Sequence, residues 1–214
     1  MGSVTDWVAK KLATNGQQLE VVDRTPEDFL VIRAKEDYTF LVAVLSVQDI
    51  VQVSHVQPLF VGTRKPQLVV NVPSKALWSG AAIDFVHSVQ SAFGTMGDIA
   101  RAAETRAAGL FRDRNMRFFI NAMEQHENVS TVSYVYDSVF RVDRRCGSSL
   151  TVAVIDAYNM SAEDVRNART RVGHFDIVVK ASSYGSITEQ AESAAESMAA
   201  QALTFRGLMQ RLAR

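Results

Sequence analysis

Two stretches of the chain, about 110 residues apart, have the same order of apolar, small and helix-forming residues. Residues 66–86 read PQLVVNVPSKALWSGAAIDFV, and residues 175–195 read FDIVVKASSYGSITEQAESAA. Each begins with a run of branched apolar residues typical of a buried strand, continues through a turn of small residues and ends in an alanine-containing helical pattern. A strand, turn and helix repeated at this spacing predict two similar α/β units in one chain.

The similarity extends beyond these two stretches. VAVLS at 42–46 matches VAVID at 152–156, and Asp28 matches Asp137, with offsets that stay between 109 and 110. We interpret this as a degenerate internal duplication. The alternative is that two α/β halves share their layering without a common origin.

Hydrophobic periodicity predicts the same elements in each half: a helix, three strands, a helix, a strand and a helix. The N-terminal repeat is assigned to residues 1–105 and the C-terminal repeat to 106–214. The segment VQDIVQVSHVQPLF is predicted to be helical, and ALTF near the end of the chain is predicted to be a short strand. The expected fold is therefore α/β, with two similar α-β-β-β-α-β-α units whose sheets are flanked by helices.

The composition is that of a globular protein, with 47% hydrophobic and 21% charged residues. The longest apolar runs are too short for a membrane span, and the first residues lack the apolar core of a secretory signal. We therefore expect a cytoplasmic protein without a membrane partner. Cys146 is the single cysteine, which excludes an internal disulfide and a cysteine-based zinc cluster.

The last hundred residues resemble a known family. In VVKASSYGSITEQAESAAESMAAQALTFRGLMQRL, a strand is followed by Thr188, Ala191 and Ala194 in a T-x-x-A-x-x-A pattern, then by a short strand and a final helix. This order resembles the closing section of Mrr-type domains in the restriction-endonuclease-like, or PD-(D/E)XK, superfamily. The resemblance covers roughly residues 112–214 and, more faintly, 3–104. It implies a restriction-endonuclease-like fold for each unit.

The resemblance also implies where a nuclease site would lie. The superfamily uses an Asp on one strand and an acid, any residue, Lys pattern on the next; the carboxylates hold Mg²⁺ and the Lys positions or activates the attacking water. Asp137 corresponds to the first acid, with Asp143 as a competitor, and Asp156 corresponds to the second. The lysine position holds Tyr158, so Lys180 on the neighbouring strand is the ammonium that could replace it.

The first half departs further from the catalytic pattern. Asp28 is present there, but Ser46 stands where the second half has Asp156. The first half is therefore expected to be inert. Mg²⁺ is the cofactor only if the second half is an active nuclease, and otherwise no cofactor is expected.

Fourteen of the seventeen arginines lie after residue 100, although the net charge of the chain is zero. A neutral chain is not typical of a general nucleic-acid binder. Two interpretations of the clustered arginines are open: solvated helix faces with ion pairs, or a surface that contacts phosphates. Candidates for phosphate contacts are Arg144, Arg145, Arg166, Arg169 and Arg171.

A further set of polar residues follows the predicted strands of the second half. Asn159, Ser182 and Tyr184 would lie near Asp156 and Lys180 if those two strands are parallel neighbours, because the carboxyl ends of parallel strands meet at one edge. Such an edge is a common place for a small-molecule site.

Three functions follow from these observations. The missing lysine and the neutral charge favour a catalytically degenerate endonuclease-like protein that acts as a binding or assembly module, which the resemblance alone connects with phage or bacterial defence. Its partner would be another protein or a second copy of the chain. The alternatives are a Mg²⁺-dependent nuclease that uses Asp137, Asp156 and Lys180, and an α/β protein that binds a small molecule at the strand ends.

Overall fold

The computed structural model describes residues 3–14 and 19–213, and its contacts divide the chain into two compact units. Unit 1 comprises residues 1–113 and unit 2 comprises residues 114–214. Residues 106–113 belong to unit 1 by their contacts, since Ala108 and Phe111 pack into its core. In the described part of the chain, no helix is both long and apolar enough to cross a membrane.

Unit 1 contains four α-helices and seven strands among its described residues. They are α1 (Val4–Thr14), β1 (Glu20–Arg24), β2 (Leu30–Arg33), β3 (Thr39–Leu45), β4 (Ile50–Val51), α2 (Val53–Val56), β5 (Leu68–Asn71), β6 (Leu77–Trp78), α3 (Gly80–Ser88), β7 (Ala92–Thr95) and α4 (Asp98–Glu104). The main sheet has the order β1-β2-β3-β5-β7, in which β1, β2 and β3 are antiparallel neighbours and β3, β5 and β7 are parallel. Strands β4 and β6 form a separate parallel pair.

Unit 2 contains four α-helices and five strands among its described residues. They are α5 (Arg114–Glu124), β8 (Val129–Tyr136), β9 (Val139–Arg144), β10 (Leu150–Ile155), α6 (Ala162–Val172), β11 (Ile177–Lys180), α7 (Glu189–Ser197), β12 (Gln201–Thr204) and α8 (Phe205–Leu212). The sheet order is β8-β9-β10-β11-β12, with β8, β9 and β10 antiparallel and β10, β11 and β12 parallel. The predicted α/β class with sheets flanked by helices is confirmed, and both five-stranded sheets are mixed.

The two sheets have the same strand order and the same strand directions. Their central parallel pairs also have matching registers: Asn71 lies beside Leu45 on β3, and Lys180 lies beside Ile155 on β10. The last residues of β5 and β11 therefore occupy equivalent places in the two sheets.

One of the residue pairs matched from sequence is not reproduced by these registers. Leu30 on β2 and Phe140 on β9 lie opposite equivalent positions of β3 and β10, which is an offset of 110 residues. Asp28 then corresponds to Ser138 and not to Asp137. The reason is the hairpin before each strand, because residues 25–29 connect β1 to β2, whereas only residues 137–138 connect β8 to β9.

Two segments of unit 1 differ from the sequence prediction. VQDIVQVSHVQPLF is not one helix: it forms β4, the single turn α2 and a 3₁₀ turn at Gln57–Phe60, because Pro58 has no backbone N–H for a continued α-helix. Residues 92–95 (AFGT), which the predicted order of elements does not include as a strand, form strand β7. Strand β7 therefore adds a parallel strand to unit 1, and its counterpart in unit 2 is β12, which contains most of the predicted short strand ALTF.

The sheet of unit 2 is covered by helices on both faces. Val152 and Val154 of β10 pack in a cluster with residues of α5 and α8, whereas Ala153 packs in a second cluster with residues of α6 and α7. Residues alternate between the two faces along a strand, so a strand covered on both sides is apolar at nearly every position. This explains why β5 and β11, with the sequences LVVN and IVVK, are buried at all four positions.

Candidate functional site

Two loops meet where the parallel strands of unit 2 end. Residues 156–161 follow β10 and residues 181–188 follow β11, and the two loops are joined by backbone hydrogen bonds. The Met160 N–H donates to the Ser186 carbonyl at 2.9 Å, and the Thr188 N–H donates to the Met160 carbonyl at 3.1 Å. We call these two loops the tyrosine edge, after the tyrosine that each contains. It is the edge at which the sequence placed the candidate catalytic and ligand-binding residues.

Lys180 is buried beneath this edge. Only 2% of its surface is exposed, and its Nζ donates to the carbonyl oxygens of Ser182, at 2.6 Å, and Tyr184. Among the described side chains, no carboxylate lies within ion-pair distance of this ammonium. Lys180 therefore holds the second loop by its backbone, and its donors are directed to protein carbonyls.

Asn159 and Gly185 fix the contact between the two loops. The Asn159 side-chain oxygen accepts hydrogen bonds from the backbone N–H of Ser186 at 2.9 Å and from its hydroxyl at 3.3 Å. Gly185 has a φ of 73°, and a methyl group there would collide with the carbonyl oxygen of Tyr158. Only glycine combines this backbone conformation with such a close approach.

Ser182 also serves the loop itself, because its hydroxyl accepts a hydrogen bond from the Tyr184 N–H at 3.1 Å. Of the three predicted ligand-binding residues, Asn159 and Ser182 therefore have structural hydrogen bonds within the edge. Tyr184 is 74% exposed and Tyr158 is 70% exposed. Asp156, the residue after β10, is also exposed.

Asp137 lies in the two-residue hairpin between β8 and β9, at the same end of the sheet as Asp156. The Ser138 carbonyl, next to it, accepts a hydrogen bond from the Val154 N–H at 2.8 Å. Its carboxylate lies 3.9 Å from the Arg171 guanidinium. The structure thus brings the two candidate acids to one edge of the sheet, with a guanidinium beside one of them.

Asp143, the competing first acid, lies on β9 beside the turn that leads to β10. Hydrogen bonds from Ser149, Arg141 and Thr131 stabilise its carboxylate and lower the pKa of Asp143 to about 2. The bonds from Arg141 and Thr131 are both 2.8 Å long. Because β9 runs antiparallel to β10, this turn is at the opposite end of the sheet from Asp156.

The family resemblance implies a metal site formed by two carboxylates at this edge. Within residues 3–14 and 19–213, no group of three or more His, Cys, Asp or Glu side chains is placed to hold a metal ion. Asp137 has a positive neighbour in Arg171, which disfavours a second cation at that carboxylate. Asp156 and Asp137 are the two residues that would have to hold Mg²⁺.

The five candidate arginines are distributed over two parts of unit 2. Arg144 is the last residue of β9 and Arg145 follows it, and their Nε atoms donate at 2.8 Å to the backbone carbonyls of Ser148 and Glu127, respectively. The remaining three, Arg166, Arg169 and Arg171, lie on α6.

The three arginines on α6 do not share a face of the helix. Residues two apart on an α-helix are separated by roughly 160° around its axis, so Arg169 and Arg171 point in different directions. Arg169 lies over the ring of Phe175, 5.5 Å from its centre, whereas Arg171 lies near Asp137. Arg166 is exposed.

Unit 1 has a polar residue at the position of Lys180, and the sequence analysis did not single it out. Asn71 is 2% exposed, and its amide nitrogen donates to the Val47 carbonyl at 2.9 Å and to the Pro73 carbonyl at 3.3 Å. The signal for it was the polar residue that ends the buried strand in both repeats. The exposure of Tyr158 at this edge was not predicted either, because Tyr158 was considered only as the residue that stands at the lysine position of the catalytic pattern.

A separate shallow groove of about 400 Å³ lies in unit 1. Its lining is mostly charged, and Arg33 and Glu20 form an ion pair there at 2.5 Å. Nothing in the sequence analysis indicated this groove. The chain as a whole matches no protein-family model, no curated protein and no solved structure.

Proposed function

We propose that the chain is a catalytically inactive relative of restriction-endonuclease-like domains, and that it acts as a protein-binding or assembly module through the tyrosine edge of unit 2. The two units are proposed to descend from one duplicated ancestor. The equal strand orders and the matching registers of β5 and β11 support this origin.

The observation that carries the proposal is the environment of Lys180. A nuclease lysine must present its ammonium to the attacking water or to the phosphate. The Lys180 ammonium is instead buried and donates to the carbonyls of Ser182 and Tyr184. Releasing it would break both hydrogen bonds and free the loop that they hold, so we assign Lys180 a structural role.

The other positions of the catalytic pattern support the same conclusion. Tyr158 stands at the lysine position, is largely exposed and has a phenol that carries no positive charge. Asp137 lies beside Arg171, which occupies part of the space around the first acid with a cation. Two carboxylates that act on one metal ion need their oxygens free for that ion.

The charge of the edge also disfavours nucleic acid. The two loops and the first turns of the helices that follow them, residues 156–164 and 181–192, contain five carboxylates and no Lys, Arg or His. Phosphates bind where basic side chains release counterions from the nucleic acid, and an acidic edge repels them. A protein partner is compatible with this surface.

The proposal predicts that the intact chain does not cleave DNA or RNA. The test is incubation with single- and double-stranded substrates in Mg²⁺ or Mn²⁺, alongside the variant Asp156→Ala prepared in the same way. We expect no difference between the two proteins and the metal-free blank. Cleavage by the parent chain that disappears in Asp156→Ala would overturn the proposal and establish the Mg²⁺-dependent nuclease in its place.

A further inference from the structure

Two tyrosine side chains extend into solvent from loops whose backbones touch. Tyr158 and Tyr184 are 70% and 74% exposed in the whole chain, and Gly185 brings the second loop against the Tyr158 carbonyl. A single exposed aromatic residue needs no explanation, but tyrosines are enriched in protein-binding surfaces because their rings combine an apolar face with a polar end. Tyr158 and Tyr184 lie on adjoining loops, so this edge carries two exposed aromatic rings.

The charges carried by the two loops and by the first turns of the helices that follow them all have one sign. Lys180 lies buried beneath these loops, and Arg171 lies beside Asp137 at the same edge. Residues 156–164 contain three carboxylates and residues 181–192 contain two, and neither segment contains a basic residue. The corresponding segments of unit 1, residues 46–54 and 72–83, contain one carboxylate and one lysine. The net charge of the chain is zero, so the negative charge is local to this edge of unit 2. The acidic surroundings and the tyrosine pair are independent features that favour the same ligand chemistry.

We propose that the tyrosine edge binds an arginine-rich segment of a partner protein. This proposal rests on the proposed function and names the chemistry of the partner. A guanidinium stacks on aromatic faces through cation–π interaction and also pairs with carboxylates through its planar set of donors. The edge offers both, with two rings on Tyr158 and Tyr184 and the exposed carboxylate of Asp156 in the same loop as Tyr158.

The edge is also ordered before a partner arrives. The Lys180 ammonium, the Asn159 amide and the tight turn at Gly185 hold the two loops together from within unit 2. A surface that is already rigid loses less conformational entropy on binding. The side chains that remain to be ordered are the tyrosines and the carboxylates around them.

The experiment measures binding of fluorescein-labelled octa-arginine, octa-lysine and octa-glutamate to the intact chain by fluorescence anisotropy in low salt. We expect octa-arginine to bind more tightly than octa-lysine, because the guanidinium stacks on the rings better than an ammonium does, and octa-glutamate not to bind. The double variant Tyr158→Ala/Tyr184→Ala is expected to weaken octa-arginine binding about tenfold or more, as the loss of two cation–π contacts predicts.

The matched control is Gln48→Ala/Lys75→Ala, which changes two exposed loop residues at the corresponding edge of unit 1. It should leave octa-arginine binding unchanged within about twofold. Asp156→Asn should weaken octa-arginine binding and reduce its dependence on salt, since one charge is removed from the edge.

Equal octa-arginine affinities of the parent and the double tyrosine variant would overturn the inference, and so would absence of octa-arginine binding or preferential binding of octa-glutamate. These results are distinct from a failure of the proposed function, which shows as metal-dependent cleavage that requires Asp156. A chain that neither cleaves nucleic acid nor binds octa-arginine retains the proposed function and loses only the arginine-rich partner.

Discussion

The two units build the same five-stranded sheet but end one equivalent strand with different polar residues. In unit 1, Asn71 ends β5 and exchanges two hydrogen bonds with the backbone of Val47, donating to its carbonyl and accepting from its N–H, both at 2.9 Å. In unit 2, Lys180 ends β11 and donates to the carbonyls of Ser182 and Tyr184. Each residue is only 2% exposed.

What the two residues share is a donor for the loop that follows the strand. Asn71 donates to the carbonyl of Pro73, two residues further on, and Lys180 donates to the carbonyl of Ser182, also two residues further on. Each side chain supplies a hydrogen-bond donor to a backbone carbonyl of this loop. A lysine at this position is therefore explained by the loop, without catalysis.

The two residues differ in the length of their side chains. Asn71 matches Lys180 in register, and the bridged pair Met160 and Ile187 matches the pair Ile50 and Leu77. The intervening loop has five residues in unit 1 (72–76) and six in unit 2 (181–186). The longer lysine side chain reaches the Tyr184 carbonyl in this longer loop. In unit 2, Tyr184 therefore lies on a longer loop that the Lys180 ammonium still fixes through hydrogen bonds to its backbone.

The largest expected effect concerns this anchor. Lys180→Ala should destabilise unit 2 by about 3 kcal/mol, because the buried four-carbon stem is lost and two carbonyls lose their donor. Lys180→Met retains most of the stem, so its expected cost is only about 1 kcal/mol. The difference between the two variants separates packing from hydrogen bonding.

Urea unfolding can assign this change to one unit. Both tryptophans, Trp7 and Trp78, lie in unit 1, so their fluorescence reports that unit, whereas far-UV circular dichroism reports both. Asn71→Ala is the matched control and should shift the tryptophan transition, while Lys180→Ala should shift the part of the dichroism change that the tryptophans do not follow. A Lys180→Ala chain as stable as its parent would contradict the structural role.

The second expected effect concerns the turn at Gly185. Gly185→Ala should destabilise unit 2 by about 2 kcal/mol, because the residue has a φ of 73° and its new methyl group meets the Tyr158 carbonyl. The loops must separate to relieve this contact. Octa-arginine binding, measured by anisotropy, should then fall together with the stability measured by urea unfolding of the same sample.

Gly173→Ala is the control. Gly173 has a φ of 77° but no neighbouring atom within 4 Å of the added methyl group, so only the conformational part of the cost remains.

These comparisons also indicate how far the sequence alone could lead. Strands β5 and β11 were predicted because strands covered on both faces are continuous apolar runs, and the run ends at Asn71 and Lys180. The tyrosine edge was located because parallel strands end at a common edge. Strand β7 was missed because AFGT is short and contains a glycine, which gives no alternating or continuous apolar pattern.

The partners of Lys180 could not be predicted. They are backbone carbonyls in a loop, and the path of that loop depends on Gly185 meeting Tyr158 across the edge. A sequence pattern shows which residues carry charge but not which backbone groups a charged side chain reaches. For the same reason the lysine was at first a catalytic candidate, and the exposure of Tyr158 was not foreseen.

The third expected effect is a pH dependence confined to unit 1. Burial, with a smaller contribution from the Arg112 guanidinium, lowers the pKa of the His87 imidazole to about 4. The unfolded chain has the ordinary, higher value and binds the proton first, so the stability that neutral His87 contributes is complete above about pH 6.5 and is lost as the pH falls towards 4. Because the ring is only partly buried, solvent screening reduces the expected loss to between about 1 and 2 kcal/mol.

Tryptophan fluorescence measures this effect directly, because it reports only the unit that contains His87. The midpoint of urea unfolding should fall between pH 7 and pH 4.5 in the parent and fall less in His87→Gln, which cannot take up the proton. Identical slopes for the two chains would assign the acid sensitivity to other groups.

The smallest expected effect is that of removing the N-terminal caps of two equivalent helices. The Thr188 hydroxyl oxygen accepts a hydrogen bond from the Ala191 N–H at 3.1 Å at the start of α7, and the Ser79 hydroxyl oxygen accepts one from the Ala82 N–H at 3.3 Å at the start of α3. Replacing either cap by alanine leaves one N–H without this acceptor, at a cost of about 1 kcal/mol.

The two cap variants should act on different units and on different signals. Ser79→Ala should lower the tryptophan-detected stability, whereas Thr188→Ala should lower only the dichroism-detected stability of unit 2.

Octa-arginine affinity tests whether the Thr188 cap only stabilises α7 or also orders the tyrosine edge. The Thr188 backbone N–H still donates to the Met160 carbonyl in Thr188→Ala, so the two loops stay joined and the affinity should change by less than about twofold. A tenfold loss in Thr188→Ala, with Ser79→Ala unchanged, would show instead that the cap of α7 is part of what holds the tyrosines in place.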